Sequence, residues 1–253
     1  MALHALTPEN RAIRDNFDAI AKRYDLTNRI ISCGVDRLWR RAAVRRLEGI
    51  PPDGLVLDLA CGTCDMGREV LRQRRARRVV GADLSGAMLR LAARRLRGRG
   101  ARPGRSAPAR RGARPEDRIA LVNAPAEALP FSDASFDGAV IAFGIRNVPD
   151  FRAGLREMLR VLRPGGRASI LEFSTPPSRR LWRVYSWYFR RVLPRLGGWI
   201  TGRRAAYQYL IDSVSRFPDA GSFARAMEEA GFAQVACVRM TGGIVCIHTG
   251  VRP

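Results

Sequence analysis

The stretch LVLDLACGTCDMGREVLRQRRARRVVGADLSGAMLRLAARRLR, residues 55–97, decides the fold. It opens on a short apolar run, Leu55 to Leu59, that reads as a buried strand, and the run ends in small residues, Ala60-Cys61-Gly62-Thr63-Cys64. Residues 65–75 then suit a helix, Val79-Val80-Gly81-Ala82-Asp83 is a second strand, and 86–97 a second helix. Strands alternating with helices at this spacing pair in parallel, because each crossover helix must lie over a face of the sheet.

The rhythm continues outward in both directions. Upstream, residues 8–48 read as helical, with Phe17, Ile20, Ala21 and Tyr24 at helical spacing and a basic amphipathic segment at 39–47; Pro51-Pro52-Asp53-Gly54 then breaks the chain. Downstream, strands are expected at 119–123, 136–142, 167–173, 232–239 and 243–250, with helices at 150–162 and 219–230. Pro164-Gly165-Gly166 reads as a turn between helix and strand, and Thr241-Gly242-Gly243 as the turn of a terminal antiparallel hairpin. The expected fold class is therefore α/β, a seven-stranded, mostly parallel sheet with an antiparallel edge hairpin. All of residues 1–253 belong to one domain, with 1–50 as an N-terminal helical cap.

Two segments interrupt the alternation. Residues 97–118, rich in Arg, Gly, Pro and Ala, lack the large apolar side chains a core needs and read as a disordered surface insertion, or else as a basic tether for nucleic acid or lipid headgroups. Residues 174–216 interleave arginines with Trp182, Tyr185, Trp187, Tyr188, Phe189, Trp199, Tyr207 and Tyr209. That mixture suits a cap over an apolar ligand, a membrane-interface belt, or the core of a helical subdomain.

Composition bounds the partners. The net charge is +22 with a pI near 11.5, and Lys22 is the only lysine. Arginine together with plentiful Ala and Gly follows from a GC-rich genome, yet that does not explain the excess over acidic residues. Such a field draws polyanions, either nucleic acid or an anionic membrane. No base-reading motif is present, so nucleic acid is not the expected partner. No run approaches the ~20 apolar residues of a membrane span. The N-terminus lacks a signal core, which points to a cytoplasmic protein. The five cysteines (Cys33, Cys61, Cys64, Cys237, Cys246) and two histidines (His4, His248) do not complete a ligand set, so no metal is expected.

In a doubly wound sheet, ligands bind beyond the carboxyl ends of the strands where the strand order reverses. The small-residue turn after the first strand lets backbone approach a ligand closely, and the helix after it presents free N–H groups. Asp58 either meets a positively charged ligand group or braces the turn. Asp83, at the end of the second strand and 25 residues further on, is placed to accept from both hydroxyls of a ribose. Leu84 and Met88 flank an adenine or pack their helix.

With these residues in view, the chain resembles the ubiquinone/menaquinone biosynthesis methyltransferases over nearly its whole length outside 97–118. The strings that carry the likeness include FDAIAKRYDLTN (17–28), LDLACGTCD (57–65), GADLSGAML (81–89), AEALPFSDASFD (126–137), AFGIRNVPD (142–150), LREMLRVLRPGGR (155–167) and GIVCIHTG (243–250). The PGGR and LPF elements are shared by many methyltransferases. FGIRN, RYD-x-x-N and the terminal GIV-x-x-H-x-G are far more specific.

The resemblance implies the S-adenosylmethionine-dependent methyltransferase fold and C-methylation of a demethylated isoprenoid quinol. It implies that Gly62, Thr63, Asp83, Pro125, Ala126 and Ala142 lie against S-adenosylmethionine. Two positions depart from the family pattern. Cys64 stands where a glycine is usual, and Pro125 stands where Asp or Asn is usual, losing a side-chain oxygen and a backbone N–H.

A sulfonium methyl is electrophilic unaided, so the acceptor ring must supply the nucleophilic carbon. Ionising a phenol of pKa near 10 at neutral pH costs ~4 kcal/mol, whereas alignment supplies ~7–11 kcal/mol. Positioning is the larger contribution. Arg146, backed by Asn147, is the candidate to stabilise the phenolate. His248 is either a base or a structural strand residue. Tyr24 and Asp25 close over the site or merely pack. Phe143, Tyr188 and Tyr207 are further substrate candidates. An isoprenoid tail requires membrane access, so transient contact with an anionic membrane surface is expected, alone, as a homo-oligomer or within a quinone-biosynthesis complex. The competing readings are a methyltransferase of another lipid or small molecule, and a nucleic-acid-binding or non-catalytic protein of the same fold.

Overall fold

Hydrogen bonding in the computed structural model follows the apolar runs. The structure describes residues 6–20, 34–97, 118–178, 183, 187 and 212–253. Thr7 accepts from the Asn10 backbone N–H at 3.2 Å and Pro8 fills the first helical position, which starts helix α1 at Pro8–Ile20. Helix α2 is Asp36–Arg45. Strand β1 (Leu55–Leu59), helix α3 (Asp65–Arg72), strand β2 (Arg78–Asp83), helix α4 (Gly86–Arg97) and strand β3 (Ile119–Asn123) follow. Then come β4 (Phe136–Ala142), α5 (Phe151–Val161), β5 (Leu162–Phe173), α6 (Ala220–Glu229), β6 (Ala233–Met240) and β7 (Val245–Val251).

The seven strands form one sheet in the order β3-β2-β1-β4-β5-β7-β6. β1 to β5 are parallel, while β7 runs antiparallel to both β5 and β6. β1 is flanked by β2 and β4, so the order reverses there, and Leu59 lies level with Ala82 and Ile141. The sheet separates two apolar layers. Trp39, Val44, Val70, Phe143, Phe173 and Ile247 fill the layer beneath α2 and α3. Leu57, Phe136, Ile141, Leu155, Met158 and Phe223 fill the layer beneath α5 and α6.

Most expected elements lie within a few residues of their places. Three differ. The helix after the first strand stops at Arg72, because Arg74 turns left-handed (φ 54°) before β2. Pro164-Gly165-Gly166 is not a turn between helix and strand. β5 starts at Leu162 and runs through it with a register shift, Phe136 pairing Leu162 and Gly138 pairing Arg167. Pro164 has no N–H to donate and Gly165 takes φ 77°, so the strand bulges; Arg252 closes the gap, accepting from Gly165 N–H at 2.8 Å and donating to Gly166 O at 2.9 Å. The N-terminal helical reading is met by α1 and α2, while 21–33 lie outside the described residues, as do 98–117 and most of 174–216. Among the described residues, no helix is long and apolar enough to cross a membrane.

Candidate active site

A cavity opens where the strand order reverses. The β1 loop contributes Leu59, Ala60 and Gly62, and the β2 end contributes Asp83, Leu84 and Met88. Ala124, Ala126 and Glu127 follow β3, Phe143, Gly144, Asn147 and Val148 follow β4, and Asn10, Ile13 and Phe17 of α1 form the remaining wall.

The β1 loop is shaped by three left-handed residues in alternation, Ala60 (φ 48°), Gly62 (φ 54°) and Cys64 (φ 64°). Only the central one is glycine, so Ala60 and Cys64 each carry ~1–2 kcal/mol of backbone strain. The coil turns the Gly62 N–H onto Asp83 Oδ2 at 2.7 Å, and the Ser85 N–H reaches Oδ1 at 2.7 Å. Burial pushes the Asp83 carboxyl up to about 6, against the pull of those two N–H groups, and nearby Asp18 raises it further. The side chain remains at the cavity wall, where a carboxylate with free lone pairs fits a ribose diol or a cationic donor.

Asp58 has the other role left open by the sequence. It is 1% exposed, accepts the Gly67 N–H at 2.8 Å and the Cys64 thiol at 3.6 Å, and so braces the turn from behind. Burial lifts it to about 7 despite the Gly67 N–H and the Arg40 charge. At Gly67 a Cβ would lie 2.8 Å from Cys64 Sγ and 2.9 Å from Val79, so α3 approaches β2 as closely as glycine allows.

Beyond β4 the loop is also strained. Phe143 holds φ 58° with its ring buried between Trp39 and Phe173, and its carbonyl accepts from Arg146 Nη1 (2.6 Å) and Asn147 Nδ2 (3.3 Å). A bulky residue persists there only when its surroundings enforce it. At Gly144 a Cβ would stand 2.7 Å from the Ala60 Cβ, so the β1 and β4 loops touch at the switch point.

Arg146 itself is turned away from the role that sequence suggested. Its Nη1 pairs with Glu172 Oε1 at 2.8 Å, its Nε donates to Ser213 Oγ at 3.4 Å, and its guanidinium lies 5.4 Å from the Phe173 ring centroid. Glu172 is 1% exposed, raised by burial and held down chiefly by Arg146. Such a buried pair is neutral in sum, and it ties the 143–147 loop to β5. Asn147 does line the cavity.

His248 is brought elsewhere. It sits on β7, 2% exposed, with Nε2 2.9 Å from Ala220 O and its ring edge-on to Phe223, and desolvation lowers its pKa. It docks α6 onto the sheet. Thr63 is buried beside the turn at 3% exposure. Pro125 and Ala142 are half-buried neighbours of the lining, while Leu84 and Ala126 are in it. Tyr24, Asp25, Tyr188 and Tyr207 lie outside the described residues. The sequence reading missed Asn10, Ile13 and Glu127 as lining; the 10, 13, 17 spacing along α1 was the available signal.

The sequence profile described as the ubiE/COQ5 methyltransferase family matches residues 6–252. The chain belongs to that family. The methyltransferase is 47% identical over 253 residues to a Geobacter sulfurreducens protein named ubiquinone/menaquinone biosynthesis C-methyltransferase UbiE, covering all of this chain and 93% of that one. It is 40% identical, over all of this chain and 99% of the other, to the demethylmenaquinone methyltransferase of Mycobacterium marinum. Its fold matches an S-adenosylmethionine-dependent methyltransferase of Thermotoga maritima, described as a possible histamine N-methyltransferase, with a TM-score of 0.60 and 18% identity over 95% of this chain and all of that one. Family and fold together imply S-adenosylmethionine as the methyl donor.

Proposed function

We propose that this methyltransferase transfers the S-adenosylmethionine methyl group to a ring carbon of a demethylated isoprenoid quinol, forming menaquinol, the corresponding benzoquinol, or both. The observation that carries this reading is full-length identity of 40–47% to enzymes named for that chemistry, combined with a cavity at the switch point edged by Asp83. When bound, S-adenosylmethionine supplies an electrophilic methyl on a sulfonium.

The residues divide the remaining work. Asp83 holds the donor's ribose, the Gly62 turn approaches it closely, and Leu84 and Met88 flank its base. Asn147 faces the acceptor, while the Arg146–Glu172 pair keeps its loop in place. Among the described lining residues only Asp83 and Glu127 titrate. The cavity contributes alignment, the larger of the two barrier reductions.

The acceptor's tail calls for an anionic membrane surface. α2 exposes Arg37, Arg41 and Arg45 beside Leu38, which is 57% exposed, a basic and apolar face suited to headgroups and acyl chains. Labelled S-adenosylmethionine offered to demethylmenaquinol and to the demethylated benzoquinol in detergent tests the reading. Label in either product supports it and names the pathway. Donor binding with no label in either overturns it in favour of another lipid acceptor.

A further inference from the structure

α1 crosses the cavity like a strap, and both of its ends are tied. At one end Asn10, 6% exposed, donates from Nδ2 to Glu127 Oε1 at 3.4 Å, on the loop after β3. At the other end Asp18 Oδ1 accepts from the Ser85 hydroxyl and from the Ala87 N–H, the latter at 3.2 Å. Ile13 and Phe17 lie between and face the cavity.

The second tie is unusual in where it lands. α4 has no acidic residue in its first turn, so its open N–H groups lack a local anion. Ser85 Oγ takes the Met88 N–H at 3.1 Å, and Asp18 supplies the missing charge from a helix 67 residues away in sequence. Ser85 thus serves two carboxylates at once. Its hydroxyl goes to Asp18 on the strap, and its N–H goes to Asp83 on the cavity wall at 2.7 Å.

Resting on the reading of this cavity as the donor site, we infer that Asp18 is a positioning residue for the methyl donor, acting through Ser85 to latch α1 over the bound ligand. It touches neither donor nor acceptor. Its effect is to hold Ile13 and Phe17 against the cavity, so that the turn that presents Asp83 also carries the clamp. Loss of the latch frees one end of α1, which speeds ligand escape and raises the KM for the donor, while kcat at saturating donor changes far less.

The test uses the full chain and S-adenosylhomocysteine as probe, with its dissociation followed by stopped-flow fluorescence. Losing a cap of this kind is worth a factor of roughly 5–30, so Asp18→Ala releases the probe ~5- to 30-fold faster. Asp18→Asn, which keeps one acceptor oxygen and nearly the same shape, falls between Ala and the native protein. Asn10→Ala, at the weaker tie, gives a smaller acceleration. An unchanged dissociation rate and donor KM in a folded Asp18→Ala or Asp18→Asn protein overturns the latch while leaving the donor site standing. Failure of the native protein to bind the probe overturns the donor site, and the latch with it.

Discussion

Asp83 and Glu172 are two carboxylates at the carboxyl ends of strands in the same sheet, the first half-buried and the second buried, and they have been put to different uses. Among the described residues, Asp83 is held by backbone N–H groups alone, from Gly62 and Ser85, and keeps its charge at the cavity wall. Glu172 also takes backbone N–H groups, from Phe173 at 2.8 Å and Arg146 at 3.3 Å, but its charge is cancelled by the Arg146 guanidinium. Dipoles orient a carboxylate without neutralising it, so Asp83 is left able to bind a ligand. A full counter-charge turns Glu172 into architecture.

The largest effect that bears on this contrast is on stability. Arg146→Ala strands Glu172 as a buried, unpaired acid, and urea unfolding should show a loss of ~3–5 kcal/mol. A loss of activity with stability unchanged would break the contrast and return Arg146 to the ligand. Asp83→Asn should do the reverse, weakening S-adenosylhomocysteine by ~10- to 100-fold, the worth of charge-assisted hydrogen bonds, with the melting temperature nearly unmoved; titration calorimetry reads the first and calorimetric melting the second.

Protonation sharpens the same point. Because Asp83 is raised to about 6, donor affinity should fall as pH drops through that value, by about tenfold per pH unit below it. The fold responds with the opposite sign. A carboxyl whose folded pKa is raised favours the protonated state, so its contribution to stability is complete below its ordinary value and is lost as pH rises through about 6 for Asp83 and about 7 for Asp58. Binding and melting measured between pH 5 and 8 should therefore diverge, and Asp83→Asn should flatten the binding curve. The smallest effect is Ala60→Gly, which relieves left-handed strain of ~1–2 kcal/mol at the expense of ~0.4–1 kcal/mol of added unfolded-state freedom. Its melting temperature should rise slightly.

Much of the fold was legible because each central strand is an apolar run closed by small or acidic residues, as in LVLDLA and RVVGADLS. That Gly62 and Asp83 share one cavity was legible for the same reason, since they sit at strand ends that topology alone brings together. What escaped is non-local. Nothing in FGIRN says that Arg146 faces an acid 26 residues later on the next strand. Alternation along β7 leaves open which layer receives His248, and only the docking of α6 decides it. The bulge at Pro164-Gly165-Gly166 depends on Arg252, contributed from the far end of the chain. α1 was readable as a helix, but not as a wall of the cavity, because its partners are Ser85, Ala87 and Glu127.

The polarity of the parallel strands has a practical consequence. Ile119 pairs with Val79, so β3 enters the sheet at the edge opposite the cavity, and α4 finishes at the same edge with Arg94, Arg95 and Arg97. The ends that flank residues 98–117 are therefore separated from the donor site by the full length of a strand. A fluorophore or an immobilising tether attached through Arg97 or Arg118 would leave the cavity mouth pointing outward, which makes this junction the natural handle for single-molecule or surface-based assays of the enzyme.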